Sequence, residues 1–342
     1  MIAGWAAGLA LVVLGGAMQG AFPLPLKWLR KQEWENAWLA SSAFGLVFIP
    51  WILAAVVVPH LAEVLARTSW PALSAIFLFG SGWGVGGLLF GIAVHRLGLS
   101  LTTGIALGMT SAVGSGLPLL IYHPEQVGQR VGLLVIASLV STIAGLAACT
   151  IAGRSREALD APDSTPERDR YWLSVALCGL SGLLSPMFNF VIIYGDPLVR
   201  QAVQAGAHPL DAPNLVIAVG MTGGMAPTAG YCVYLLNRRR TWRRYAPPGH
   251  WADWMLTLLM GALFALGNAA YGMGAASLGS LGAILGFPVF MAMQVLTGNV
   301  LGYASGEWRG AGPRLLRLLM AGNLLLVLAI FLIGWASDAT TN

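Results

Sequence analysis

Gly82, Gly84 and Gly87 satisfy G-x-G-x-x-G, the spacing with which a loop presents backbone N–H groups to a pyrophosphate. That chemistry needs a strand before the glycines and water around them, and these lie in the middle of an apolar run. Helix packing is the better account, because Gly lets two backbones approach closely. Gly82/Gly86, Gly87/Gly91, Gly104/Gly108, Gly220/Gly224, Gly282/Gly286 and Gly298/Gly302 all repeat at four-residue spacing. His60, His95, His123, His208 and His250 are scattered without an i, i+4 partner, so no metal site is expected. No Ser or Cys has a plausible base near it, which argues against an enzyme and against any cofactor. Cys149, Cys178 and Cys232 fall inside apolar runs and are odd in number, so they read as small buried residues rather than a disulfide framework.

Polar groups inside apolar runs are the stronger site markers, because hydrocarbon penalises them unless they meet a cavity or a partner helix. They are Gln19, Thr110, Ser111, Ser115, Asn189, Thr222, Asn268, Gln294, Thr297, Asn299 and Asn323. Amides and hydroxyls are neutral donors and acceptors, which suits an uncharged polyhydroxylated ligand such as a small sugar. Trp83, Phe264 and Tyr271 could present flat faces to a sugar ring. The expected binding set is therefore Gln19, Trp83, Asn189, Phe264, Asn268, Tyr271 and Gln294. All fourteen acids fall in connections or at the ends of runs. A proton-coupled carrier needs a titratable group, and the candidates reduce to His95, Asp196, Asp211 and Glu307.

The elements that must position these groups are ten apolar runs of about 20 residues, each long enough to cross ~30 Å of hydrocarbon as a helix. They are read as 2–22, 37–58, 72–94, 98–121, 130–152, 172–194, 212–236, 252–275, 278–303 and 314–335. With 57% hydrophobic and 10% charged residues and a mean hydropathy of +0.72, the bilayer is the solvent. Backbone groups in hydrocarbon must be satisfied within each segment, so an all-α integral membrane bundle is expected. Of the nineteen Lys and Arg, all but Arg67, Arg130 and Arg200 fall in the odd-numbered connections or just beside them. Since cytoplasmic loops retain the cations, odd connections are expected inside and both termini outside. The basic balance follows from this asymmetry and needs no nucleic-acid partner. The N-terminus carries no basic leader region, and helix 1 is expected to remain in the mature protein.

Polar residues 153–171 divide five runs from five, so the halves are expected at 1–152 and 172–342, joined by a cytoplasmic linker. A shift of 181 positions superposes Gly80 on Gly261, Gly86 on Gly267, Gly91 on Gly272 and Leu97 on Leu278, with Trp83 over Phe264 and Phe90 over Tyr271. Five spans per half turn the second copy upside down, the inverted-repeat plan of many secondary transporters. Pro23, Pro50, Pro118, Pro186, Pro227 and Pro288 interrupt the runs and are expected to kink them.

Three segments carry a family resemblance. They are Gly15 to Trp38 with Trp34-Glu35-x-x-Trp38; Phe77-Leu-Phe-Gly80 followed by Trp83-Gly84-x-Gly86 and the Leu97-Gly98 turn with Gly104 and Gly108; and Glu307-Trp308-x-x-Ala311-Gly312. Together they resemble the L-rhamnose–proton symporter family, a branch of the drug/metabolite transporter superfamily. The resemblance implies ten helices in two inverted five-helix repeats, an inner-membrane location, and uptake of L-rhamnose driven by a proton gradient. It places helices 1–4 and 6–9 around the substrate path. Glu35, Trp83 and Glu307 are the matched motif positions. An exporter or exchanger of another small metabolite on the same fold is the alternative, and a non-transporting membrane receptor or scaffold a third reading. Homodimerisation is left open.

Overall fold

The computed structural model describes residues 2–97, 99–160, 168–246 and 251–339; among these there are helices and turns but no strand. Ten segments are long and apolar enough to cross a membrane. They are α1 (Trp5–Trp28), α2 (Trp34–Val57), α3 (Trp70–Val94), α4 (Gly104–Tyr122), α5 (Arg130–Arg156), α6 (Trp172–Gln204), α7 (Pro213–Arg239), α8 (Trp251–Ser277), α9 (Gly282–Ala304) and α10 (Pro313–Ala336). The helix of α5 continues to Asp160 and that of α6 begins at Arg168, so the connection between the halves narrows to 161–167, outside the described residues.

The helices pair as two copies of one unit would. α1 lies against α8 and α9, and α6 against α3 and α4; α3 packs on α7, and α8 on α2. α5 pairs with α10, α2 with α7 and α4 with α9. Replacing every helix in these pairs by the one five places later returns the same pairs, as expected of two repeated halves, whereas the α6–α7 and α7–α8 contacts have no counterpart of similar extent. Trp83 and Phe264, equivalent under the 181-residue shift, touch each other with ring centroids 5.9 Å apart, which puts them on the axis relating the halves. Their neighbours obey it too: Gly80 meets Gly220 of α7 and Gly261 meets Gly45 of α2, while Gly86 faces α6 and Gly267 faces α1.

Helices in lipid gain nothing hydrophobic by touching, so close backbone approach and hydrogen bonds carry the association. Gly8/Gly274, Gly15/Gly267, Gly45/Gly261, Gly80/Gly220, Gly84/Gly224 and Gly145/Gly322 are all in backbone contact, with no room for a Cβ. Each of these pairs joins the first half to the second.

The prolines explain three of the hydrogen bonds between helices. A proline offers no N–H to the carbonyl four residues back, and in hydrocarbon that carbonyl needs another donor. Pro118 leaves Gly114 O, which takes Asn189 Nδ2 of α6 at 2.7 Å; Pro186 leaves Gly182 O, which takes Thr110 Oγ1 of α4 at 3.4 Å. Pro227 leaves Gly223 O, which takes Ser81 Oγ of α3 at 3.0 Å. Around Pro50 and Pro118 the ladder also widens into π turns at Ala43–Phe48 and Ala112–Gly116, and Pro186 divides α6 into Arg168–Leu184 and Met187–Tyr194. Ser81→Ala should therefore destabilise the detergent-solubilised protein by about 0.6–1.7 kcal/mol. In a Pro227→Ala background, which restores the N–H, thermal melting should show a smaller loss; equal losses in both backgrounds would refute the account.

Candidate functional site

The axis is lined with aromatic rings. Trp83 packs on Phe188 at 5.4 Å and on Phe264; Phe22 sets its edge on Phe264 at 5.2 Å and leans on Trp38 at 6.1 Å; Trp38 stacks on Trp34 at 5.2 Å. This row crosses α6, α3, α8, α1 and α2, and ends at the face carrying the Arg-rich connections. Beside it, Gln19 Nε2 and Asn268 Nδ2 both donate to the carbonyl of Phe264, at 3.2 and 2.8 Å. Four of the expected site residues, Gln19, Trp83, Phe264 and Asn268, therefore meet in one place.

Two others lie nearer the Arg-poor face and do something different. Tyr271 is fully buried between Phe290 and Phe287, with centroids at 4.6 and 6.2 Å, and its hydroxyl donates to Asn189 Oδ1 at 2.5 Å. Asn189 spends its amide on Gly114 O and on Ala283 O at 3.3 Å, so this node ties α4, α6, α8 and α9 together. The turn at Pro186 aims the Met187–Tyr194 segment so that Asn189 can do so. Farther out, the short helix Leu61–Arg67 packs on Asp196–Gln204 through Val64, Leu198 and Ala202. The Arg-poor face is sealed.

Gly87 and Gly91 share the face of α3 that Trp83 turns to α8, yet both are exposed and a Cβ on either would meet nothing within 4 Å. Gly272, the repeat equivalent of Gly91, is buried against Ile217 of α7. On α9, Gln294 is half-buried and Gly298, one turn on, again faces open space. The helix-packing role expected of Gly87/Gly91 and of Gly298 is thus corrected, because no helix lies against them, whereas Gly220/Gly224 pack as expected. The backbone of Gln294 lies against Gly20 of α1, the residue after Gln19.

A polar latch on the Arg-rich face ties the 1–2 connection to the second half. The buried Asp253 carboxylate accepts the backbone N–H groups of Arg30, Lys31 and Gln32 at 3.3, 2.8 and 2.9 Å. Glu35, also buried, accepts Arg239 Nη1 at 3.0 Å and Thr241 Oγ1 at 2.9 Å; Arg244 reaches Glu33 at 3.0 Å and the carbonyl of Lys31 at 3.0 Å. Tyr245 donates to Asn36 O at 3.0 Å, and burial pushes its phenol up to about 12, so it stays a neutral donor. Of the proton candidates, Glu307 pairs with Lys27 across the halves, and Asp196 pairs with Arg200 one turn on at the exposed Arg-poor surface. Asp211 lies just ahead of α7, and the His95 side chain lies outside the described ones.

Sequence reasoning missed the buried acid Asp253, since an acid at a span end reads as solvated. It also missed Phe22 and Phe188, which have no polar atom to mark them. Among the remaining polar residues, Asn299 donates to Asn323 at 2.7 Å and to Cys149, and Thr222 accepts Trp51 Nε1 at 2.8 Å; these are structural bonds between helices. Ser111 and Ser115 are buried with no hydrogen-bond partner among the described residues. Cys149, Cys178 and Cys232 are free and buried.

A ten-span helical bundle of two pseudo-symmetric halves around a polar and aromatic centre has the architecture of a membrane transporter. Residues 1–339 match the L-rhamnose-proton symport protein (RhaT) family, and the chain belongs to that family. It is similar to the L-rhamnose-proton symporters of Mannheimia succiniciproducens (25% identical over 330 residues) and of Cronobacter sakazakii and Escherichia coli (each 25% over 334 residues). Each comparison covers 94% of this chain and 95% of the relative. The chain is accordingly a multi-pass inner-membrane protein and a transporter rather than an enzyme.

Tyr271→Phe would leave Asn189 Oδ1 buried without its donor, a loss of about 1–3 kcal/mol. Thermal melting should report it as a clear decrease, and an unchanged midpoint would show that the hydroxyl does not hold the seal.

Proposed function

We propose that this protein carries L-rhamnose or a related deoxy sugar inward together with a proton, by alternating access between residues 1–152 and 172–342. The Arg-rich face is cytoplasmic, the linker 153–171 lies on that side, and both termini are periplasmic. The observation that carries the reading is the broken symmetry at the centre: Gly272 is buried against Ile217, while its repeat equivalent Gly91 is exposed and a Cβ there would meet nothing within 4 Å. Two identical plans in different states are what an inward-facing conformer of a two-repeat carrier looks like.

In this reading the sugar binds at the cluster where Trp83 meets Phe264. Trp83 and Phe264 offer flat faces to its C–H surface, and Gln19, Asn268 and Gln294 offer neutral amides to its hydroxyls. Asn189 and Tyr271 form the periplasmic gate, and line the path once the halves rock the other way. Support for proton coupling through Glu307 comes from its ion pair with Lys27, which spans the two halves, so neutralising the acid weakens a contact that must break on rocking. Asp196, held within its own helix by Arg200, His95 and Asp211 are the remaining candidates. A membrane potential of 100 mV supplies about 2.3 kcal/mol per charge, enough for roughly fiftyfold accumulation at one proton per sugar.

Proteoliposomes containing the purified protein should concentrate labelled L-rhamnose when a proton gradient is imposed and only equilibrate it when the gradient is dissipated. Uptake that is absent or indifferent to the gradient ends the symport claim. Asn268→Ala and Gln294→Ala should each raise the half-saturating sugar concentration about fivefold, the worth of one hydrogen bond of about 1 kcal/mol. Glu307→Gln should keep sugar exchange and lose gradient-driven accumulation; full accumulation would transfer the coupling role elsewhere.

A further inference from the structure

A groove of about 340 Å³ runs along the outside of the bundle between α2 and α8, lined by Leu39, Ala40, Ala43, Phe44, Phe48 and Trp254 and closed at its Arg-rich end by Tyr245. Its lining is apolar, and Phe48 is more than half exposed. It lies between α2 and α8, lined by none of the residues of the Trp83–Phe264 cluster, and the transport reading makes no use of it.

The end of the groove is built differently from its length. Residues Thr241–Tyr245 form a tight 3-10 turn whose aromatic rings step downward, Trp242 on Tyr245 at 6.2 Å and Tyr245 on Trp254 at 5.7 Å. The turn starts from Arg240, which takes the left-handed conformation at φ +56° and so ends α7 sharply. Of the five arginines here, Arg239 is engaged by Glu35 and Arg244 by Glu33. Arg240 and Arg243 are exposed and have no acidic partner among the described residues. Two uncompensated guanidinium groups therefore stand on the turn that caps an apolar channel, at the level where Tyr and Trp mark the membrane boundary.

We propose that this groove is a binding site for an anionic phospholipid, with one acyl chain lying along Leu39, Ala43, Phe44 and Phe48 and the phosphate held by Arg240 and Arg243. The chemistry of both ends agrees. An acyl chain matches an apolar channel on the flank of two membrane spans, and guanidinium forks match phosphate oxygens in shape and charge. Because Arg239 and Arg244 on the same stretch fasten α7 and its turn to the 1–2 connection, a lipid drawn to Arg240 and Arg243 braces the latch. A zwitterionic lipid offers the same chains with a self-neutralised headgroup, so the site selects by charge.

The test uses the full-length protein in nanodiscs and lipids carrying brominated acyl chains, which quench tryptophan on contact. Trp254 is the reporter, isolated as the difference between the wild type and Trp254→Phe. Brominated phosphatidylglycerol should quench it at a lower mole fraction than brominated phosphatidylcholine with the same chains, by about fivefold per arginine, the factor that about 1 kcal/mol per basic side chain near an anionic surface gives. Arg240→Gln with Arg243→Gln should abolish the preference. Arg314→Gln with Arg317→Gln, which removes the same charge from the same face away from the groove, should leave it intact. Ala43→Leu should weaken quenching by both lipids. Equal quenching by the two lipids in the wild type, or equal loss of preference in both double variants, overturns the proposal; so does protection of Trp254 by inorganic phosphate alone, which would reduce the site to a phosphate contact without a lipid.

Discussion

A carbonyl deprived of its N–H by a proline has no water to turn to inside a membrane. Three times in this bundle the missing donor comes from another helix, and the arrangement of the core follows from where those donors sit. Thr110 of α4 serves the carbonyl freed by Pro186 in α6, and Asn189 of α6 serves the one freed by Pro118 in α4. The two helices thus hold each other by exchanging side-chain donors, and the kinks that created the need also bring the donors within reach. Ser81 does the same for α7. Pro118 and Pro227 lie within their helices, so kinks and cross-links arise together.

Around this lattice the two faces are closed by different forces. On the Arg-poor side, Tyr271, Phe287 and Phe290 are packed around one short hydrogen bond, with the apolar contact of Leu61–Arg67 on Asp196–Gln204 above them. On the Arg-rich side the contacts are carboxylates with guanidinium groups and backbone amides. The latch joins α1 and α2 to α7 and α8. Phe90, Ala93, Ala106 and Cys178 form a separate cluster there.

Much of this was legible in the residues. Run length, composition and the uneven placement of Lys and Arg are properties of single segments, and they sufficed for ten helices and the inversion. The repeat equivalence of Trp83 and Phe264 was visible as a sequence match, and the structure turned it into a physical contact on the axis. What stayed hidden depends on pairs. Nothing in the spacing of Gly87 and Gly91 distinguishes a packing face from an exposed one. The partnership of Asn189 with Gly114 requires knowing that Pro118 and Pro186 lie opposite each other. Asp253 looks like any acid at a helix start until three backbone N–H groups from a distant connection converge on it.

The backbone contacts at glycine have a consequence for how the chain is made. Every one of them joins an early helix to a late one, and Gly80 must wait for Gly220, 140 residues downstream. At translation rates of about 5–20 residues per second, that interval is on the order of ten seconds. During it, the first five helices sit in lipid with their bare grooves unmatched, so the nascent half stays a loose association whose architecture is decided only when its inverted twin emerges.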